Sequence, residues 1–211
     1  MATIDPHSGP APSSVAPPKS RGSQMSMGML AMVFFLGSEA MLFASFFAAY
    51  FFVRFGVPGT TVWPPLDPEG VQYELPKIIT GINTLILVAS SFTLHWGEHM
   101  FRHYGDRVAL RRGIVVTIML GATFLILQLN EYAHLGFTPQ SDAFGSSFFT
   151  LTGFHGLHVL VGLTILSIML RRVVTAKDFT PNWTTPLAAG SLYWHFVDVV
   201  WVILYLLVYI L

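Results

Sequence analysis

Ionisable side chains are scarce in this sequence, and those present fall in short, spaced groups inside apolar text. Glu39 stands in a long apolar run, with Phe35 and Phe43 one helical turn away on either side. His155 and His158 are three residues apart in a second run, and His195 and Asp198 repeat that spacing in a third. Glu131 closes a further run, beside Gln128, Asn130 and Tyr132. His95, His99 and His103 follow one another at four-residue steps with Glu98 between them, so on a helix they share one face.

Several chemistries fit such groups. Two histidines one turn apart near a carboxylate can ligate a metal or a haem, and so can a histidine row with four-residue steps. A carboxyl group in apolar surroundings is pushed towards its neutral form, which suits Glu39 to a proton relay. The plainer reading makes His155, His158, His195, Asp198 and Glu131 structural polar groups that hydrogen-bond between helices. Likewise, His95, Glu98, His99 and His103 stand beside Arg102 and Arg107, where lipid headgroups or solvent are natural partners. Nothing else in the sequence is patterned as a haem pocket, so no metal or haem is expected on this chain.

The elements that must position these groups follow from composition. Of 211 residues, 53% are hydrophobic and only 10% are charged, against about 25% charged in soluble domains. Mean hydropathy is +0.61. Eleven basic residues cancel eleven acidic ones, which removes the electrostatic footprint of a nucleic-acid binder. The absence of cysteine excludes disulfides, iron–sulfur clusters, thiolate zinc sites and thiol catalysis. A bilayer core of about 30 Å takes about 20 helical residues to cross. Five apolar stretches are long enough: 27–53, 78–96, 113–132, 147–170 and 187–211. They are continuously apolar with no alternation of period two, so they read as helices rather than barrel strands. The expected fold is all-α, a polytopic membrane protein of five transmembrane helices. Residues 1–26, rich in Pro, Ser and Ala, read as a cytoplasmic arm ahead of the membrane domain 27–211. That arm lacks the apolar stretch of a secretory signal.

Nine of the eleven Lys and Arg lie in the arm and in the second and fourth links, while the third link has none. The positive-inside rule then places the N-terminus in the cytoplasm and, after five crossings, the C-terminus outside. Counting 1.5 Å per residue from the span ends puts Glu39, Asp198 and His155 at a common depth of about 16 Å, with His158 and His195 at about 12 Å. An error of three residues in a span end moves these depths by about 5 Å.

The strings carrying these groups resemble a known family. Leu36-Gly-Ser-Glu39-Ala-Met-Leu-Phe is similar to the Glu-bearing helix of subunit III of haem–copper terminal oxidases. The link from Glu131-Tyr132 to Gly145-Ser-Ser-Phe-Phe is similar to that family's loop into the next helix. Gly153-Phe-His155-Gly-Leu-His158-Val and Tyr193-Trp-His195-Phe-Val-Asp198-Val-Val-Trp201 resemble its most distinctive strings. The resemblance runs from about Met29 to Leu211 and matches the short five-helix bacterial form, which lacks the first two of the usual seven helices. The row His95, His99, His103 is not part of the family pattern.

The resemblance implies an accessory subunit of the bacterial cytoplasmic membrane. It would pack directly on subunit I, with subunit II and the other subunits completing a proton-pumping aa3-type cytochrome c oxidase. Haem and copper would reside in those partners, with none bound by this chain, and no residue of it would be catalytic. Structural phospholipids are the implied ligands, and Glu39 becomes the intramembrane carboxylate near the lipid cleft. His155, His158, His195 and Asp198 become the structural polar positions of the later helices. A quinol oxidase subunit III, or the subunit III-like protein of a nitric oxide reductase, has the same fold. From another class, an independent proton or metal carrier would use the same polar residues, although carriers often show inverted repeats and this sequence has none.

Overall fold

A computed structural model describes residues 26–56, 63–66, 70–73, 75–176 and 184–211. All but Ser26 of the expected arm therefore lies outside the described residues. Five helices long and apolar enough to cross a membrane make up the fold: α1 (Met27–Phe51), α2 (Lys77–Tyr104), α3 (Arg107–His134), α4 (Ala143–Thr175) and α5 (Thr184–Tyr205). Helices α1 and α5 each run on into a wider π-type turn, Phe52–Gly56 and Leu206–Ile210. Among the described residues the only β-type pairing is an isolated bridge between Leu66 and Gln72 in the first link.

The helices outrun the apolar stretches at most ends, and α2 continues through His99 and His103. Hydrophobicity marks where hydrocarbon is met, whereas a helix stops where a cap replaces its missing hydrogen bonds. Gly105, at φ 68°, ends α2 in the left-handed conformation that glycine adopts without strain. The next residue, Asp106, starts α3 by accepting from the Val108 and Ala109 amides at 2.9 Å. Asp142 starts α4 in the same way, through the Gly145 amide at 2.6 Å. Ser26 caps α1 through the Met29 amide.

The tight turn at Gly105–Asp106 makes α2 and α3 an antiparallel hairpin, the most extensive helix pair in the molecule. Gly97 and Gly113 let their backbones touch: a Cβ on Gly113 would stand 2.8 Å from the Thr93 carbonyl oxygen. Helix α5 is the most buried of the five and α1 the least. Helix α1 rests on α4 and α5, leaving a groove between its first turns and the end of α2.

The indole of Trp194 fills the centre of the bundle. A Cβ on Gly121 of α3 would fall 2.6 Å from this ring, and one on Gly162 of α4 2.8 Å from it, so the ring lies where both glycines leave space. Near the opposite end from the α2–α3 hairpin, Trp63 and Tyr73 of the first link fold over α4. Trp63 packs edge-on against Phe144 and donates its indole N–H to the Tyr50 hydroxyl at 3.1 Å. Large apolar side chains such as Phe34, Ile78, Phe92, Met119 and Ile126 point outward from α1, α2 and α3, as a lipid or subunit environment requires.

Candidate functional site

Glu39 of α1 meets His158 of α4, with Oε2 and Nε2 2.9 Å apart. Donor–acceptor logic fixes the state of this pair. The other ring nitrogen, Nδ1, lies 2.7 Å from the Phe154 carbonyl oxygen, which can only accept, so Nδ1 carries a hydrogen. Nε2 then either accepts from a protonated Glu39 or, as part of an imidazolium, donates to the carboxylate. Both arrangements place a single proton between the two side chains and leave the pair electrically neutral. The Tyr193 hydroxyl of α5 donates to the His158 carbonyl at 3.2 Å. Phe43 packs on the imidazole at 5.0 Å and Phe35 stacks on Tyr193. The pair is thus a neutral polar contact at the junction of α1, α4 and α5, partly shielded by aromatic rings.

His155, one turn earlier on α4, does not join it. Its ring is buried among Phe43, Phe124 and Trp201, and neither nitrogen has a hydrogen-bond partner. His195 and Asp198 stay within electrostatic reach of each other, and each also faces a side chain of α2. His195 turns towards the His95 ring, 6.5 Å away, whereas Asp198 faces Ser91 of α2. Neither Ser91 Oγ nor Asp198 Oδ1 completes a hydrogen bond of standard geometry.

Asp198 belongs to a polar ladder joining α2 and α5. Ser191, Trp194, Asp198 and Trp201 are spaced three, four and three residues apart, so they form one stripe on α5. Ser191 donates to Glu98 Oε2 at 2.8 Å, Trp194 to Ser90 Oγ at 3.0 Å, and Trp201 to Thr84 Oγ1 at 3.0 Å. As numbers rise along α5 they fall along α2, which is the register of antiparallel helices. Glu98 is therefore more than a member of the histidine row. Its carboxylate is buried, bonded to Ser191 on one oxygen and to Arg102 on the other.

Glu131 is a second knot. It is buried, its Oε2 accepts from Thr80 of α2 at 2.9 Å, and its Oε1 accepts from Tyr209 at 2.8 Å. One carboxyl group thereby ties α3 to α2 and to the turn after α5. One residue on, Tyr132 donates to Thr152 of α4 at 2.7 Å. Glu131, expected from the sequence as a structural polar group, makes both of its contacts to elements other than its own helix. The sequence alone singles out none of Ser90, Thr84 and Ser191, because an uncharged hydroxyl in an apolar helix carries no mark of its partner. Among the described residues, no three His, Asp or Glu side chains are grouped so that they could hold a metal ion.

The family model described as cytochrome c oxidase subunit III matches residues 21–211. The chain belongs to the cytochrome c oxidase subunit III family. A protein from Synechocystis named cytochrome c oxidase subunit 3 is 39% identical over 183 residues, covering 87% of this chain and 75% of its own length. One of the same name from Thermostichus vulcanus is 38% identical over 183 residues, covering 87% of both chains. A probable cytochrome c oxidase subunit 3 from Mycobacterium leprae is 42% identical over 180 residues, covering 84% of both. The five helices are thus those of a multi-pass subunit of a haem–copper oxidase, a family member without redox centres, and its partners are the other subunits of that complex.

Proposed function

We propose that this chain is the non-catalytic subunit III of a proton-pumping, aa3-type cytochrome c oxidase. It packs directly on subunit I, beside subunit II, and helps to keep proton uptake and the oxygen-reducing centre intact during turnover. Its N-terminus lies in the cytoplasm and its C-terminus outside, on the distribution of basic residues between the links. It holds structural phospholipids, with Glu39 close to one of them.

The observation that carries this reading is how the intramembrane polar groups are engaged. Glu39 is neutralised by His158, Glu131 is held by Thr80 and Tyr209, and Glu98 by Ser191 and Arg102. All but the Glu98–Arg102 contact, which lies within α2, join separate elements of the bundle. Such groups make a scaffold rigid in lipid, where an unpaired polar group costs several kcal/mol. They support the reading of His158, Glu131 and Glu98 as structural, and leave this chain the role of support for chemistry done elsewhere. The comparisons favour cytochrome c over quinol as donor, because the relatives are named cytochrome c oxidases.

Purification through a tag on this chain tests the proposal. Co-eluting haem a and copper, with cytochrome c-dependent oxygen consumption, is the expected result. A lone colourless protein, or one that drives ion flux by itself in vesicles, overturns it.

A further inference from the structure

The histidine row His95, His99 and His103 lines a cleft. At one end of the bundle, the first turns of α1 and α5 and the last turns of α2 border an open groove of about 550 Å³. Its polar wall is His95, His99, Arg102 and His103 of α2, with His195 of α5 opposite. Its apolar wall is Met29 and Val33 of α1 with Leu192 of α5. We propose that this cleft binds an acidic phospholipid, its phosphate among Arg102 and the imidazoles and an acyl chain along Met29, Val33 and Leu192. The site is distinct from Glu39 and does not rest on the role proposed for the subunit.

Three observations carry the assignment. First, the polar wall is rich in groups that donate to anions or become cations. Glu98 is the acidic residue in the wall, and its two oxygens already accept from Arg102 and Ser191. Arg102 uses one terminal nitrogen there and is otherwise exposed, which leaves further N–H donors for a phosphate. Second, the His99 and His103 rings are stacked with centroids 4.1 Å apart, His95 is 6.4 Å from His99, and His195 is 6.5 Å from His95. Ring N–H groups this close together can donate jointly to the oxygens of one phosphate. The four histidines do not converge on a point as a metal requires. Third, the cleft sits at the end of three spans, where lipid phosphates and the beginnings of acyl chains lie, and its two walls match those two parts.

The charged and titratable groups facing the cleft are His95, Glu98, His99, Arg102 and His103 from α2, and His195 from α5, with Asp198 one turn deeper. Helix α1 contributes only apolar side chains among the described residues.

The test uses the intact complex purified through this chain, placed in phosphatidylcholine nanodiscs and titrated with phosphatidylglycerol. Bound lipid is counted by native mass spectrometry. Arg102→Gln should weaken phosphatidylglycerol binding about five-fold. The double variant His99→Gln/His103→Gln, which touches exposed residues and leaves the Glu98–Ser191 contact alone, should weaken it as well. Arg111→Gln/Arg112→Gln, two basic residues outside the cleft, should change it less than two-fold. Unchanged binding in both cleft variants overturns the proposal. Equal competition by phosphatidylcholine would make the cleft a purely apolar groove. Equal competition by inorganic phosphate would make the ligand a free anion. Either result overturns the assignment of an acidic lipid. Haem content, read in the same preparation, reports separately on the oxidase role.

Discussion

Glu39 and His158 share one proton across the α1–α4 seam: Oε2 and Nε2 are 2.9 Å apart, and Nδ1 of the same ring is committed to the Phe154 carbonyl. The pair also decides how α1, the least buried helix, sits against the bundle. Glu39→Gln can still donate an amide N–H to a bare Nε2, whereas Glu39→Ala leaves that nitrogen without a partner in a partly shielded site. Haem spectra of the complex should be unchanged in both. Thermal unfolding should show Glu39→Ala weakened by about 1–3 kcal/mol and Glu39→Gln by much less. The active lifetime during turnover should shorten in the same order. If the two variants melt and inactivate alike, the proton-sharing contact is not what holds α1.

The Trp194 indole supplies the second prediction. Gly121→Ala and Gly162→Ala each place a methyl group within 3 Å of this ring. Each should cost about 1–3 kcal/mol by overpacking, read as a lower melting temperature of the complex. Gly37→Ala and Gly153→Ala are the controls, because a Cβ there meets nothing within 4 Å. They should be neutral, or stabilise their helices by about 0.5–1 kcal/mol. A uniform loss in all four would mean that helix flexibility, rather than room for the indole, is what these glycines provide.

How far the sequence could be read depended on cost. Five apolar runs had to become five spans, because no shorter segment satisfies its backbone in lipid. Glu39, His155, His158, His195 and Asp198 stood out because ionisable groups are expensive there. Partnership was another matter. Rise per residue with ends uncertain by a few positions leaves a depth error of about one helical turn, enough to leave open whether His155 or His158 faces Glu39. Ser90, Thr84 and Ser191 were invisible for the opposite reason. Hydroxyls cross a membrane cheaply by bonding to the carbonyl one turn back, as Ser90 also does to Leu87, so nothing marked them as the acceptors and donors facing α5. Glu98 looked superficial because it lies just past a span end. The helix continues past that end, and Ser191 of α5 covers the carboxylate.

Glu131 offers a pairwise test. Its two oxygens accept from Thr80 and Tyr209, so Tyr209→Phe and Glu131→Gln remove parts of one interaction. A double-mutant cycle on complex stability should return a coupling of about 0.6 kcal/mol, the usual value for hydrogen bonds between membrane helices. Tyr209→Phe combined with Ser191→Ala, at the far end of α5, should be additive within about 0.5 kcal/mol. Full additivity in the first cycle would show that the Tyr209 hydroxyl finds an equal partner without Glu131.

Arg107, in the first turn of α3, reaches across to the end of α4. Its Nε donates to the Val173 carbonyl at 2.8 Å, and its Nη2 donates to the carbonyls of Val173 and Ala176. These are carbonyls a helix leaves unpaired at its C-terminus, where the macrodipole also favours a cation. The guanidinium meets two carbonyls at once because its donors are fixed in a plane, while a lysine ammonium is a single point charge on a flexible stem. Arg107→Gln should therefore speed amide hydrogen exchange over residues 172–176, where the Ala176 amide donates to Arg172, and leave the centre of α4 unchanged. Arg107→Lys should fall between parent and Gln. Exchange that is the same in all three proteins would mean that solvent or lipid headgroups satisfy these carbonyls as well as the arginine does, and that the α3–α4 contact is set by apolar packing alone.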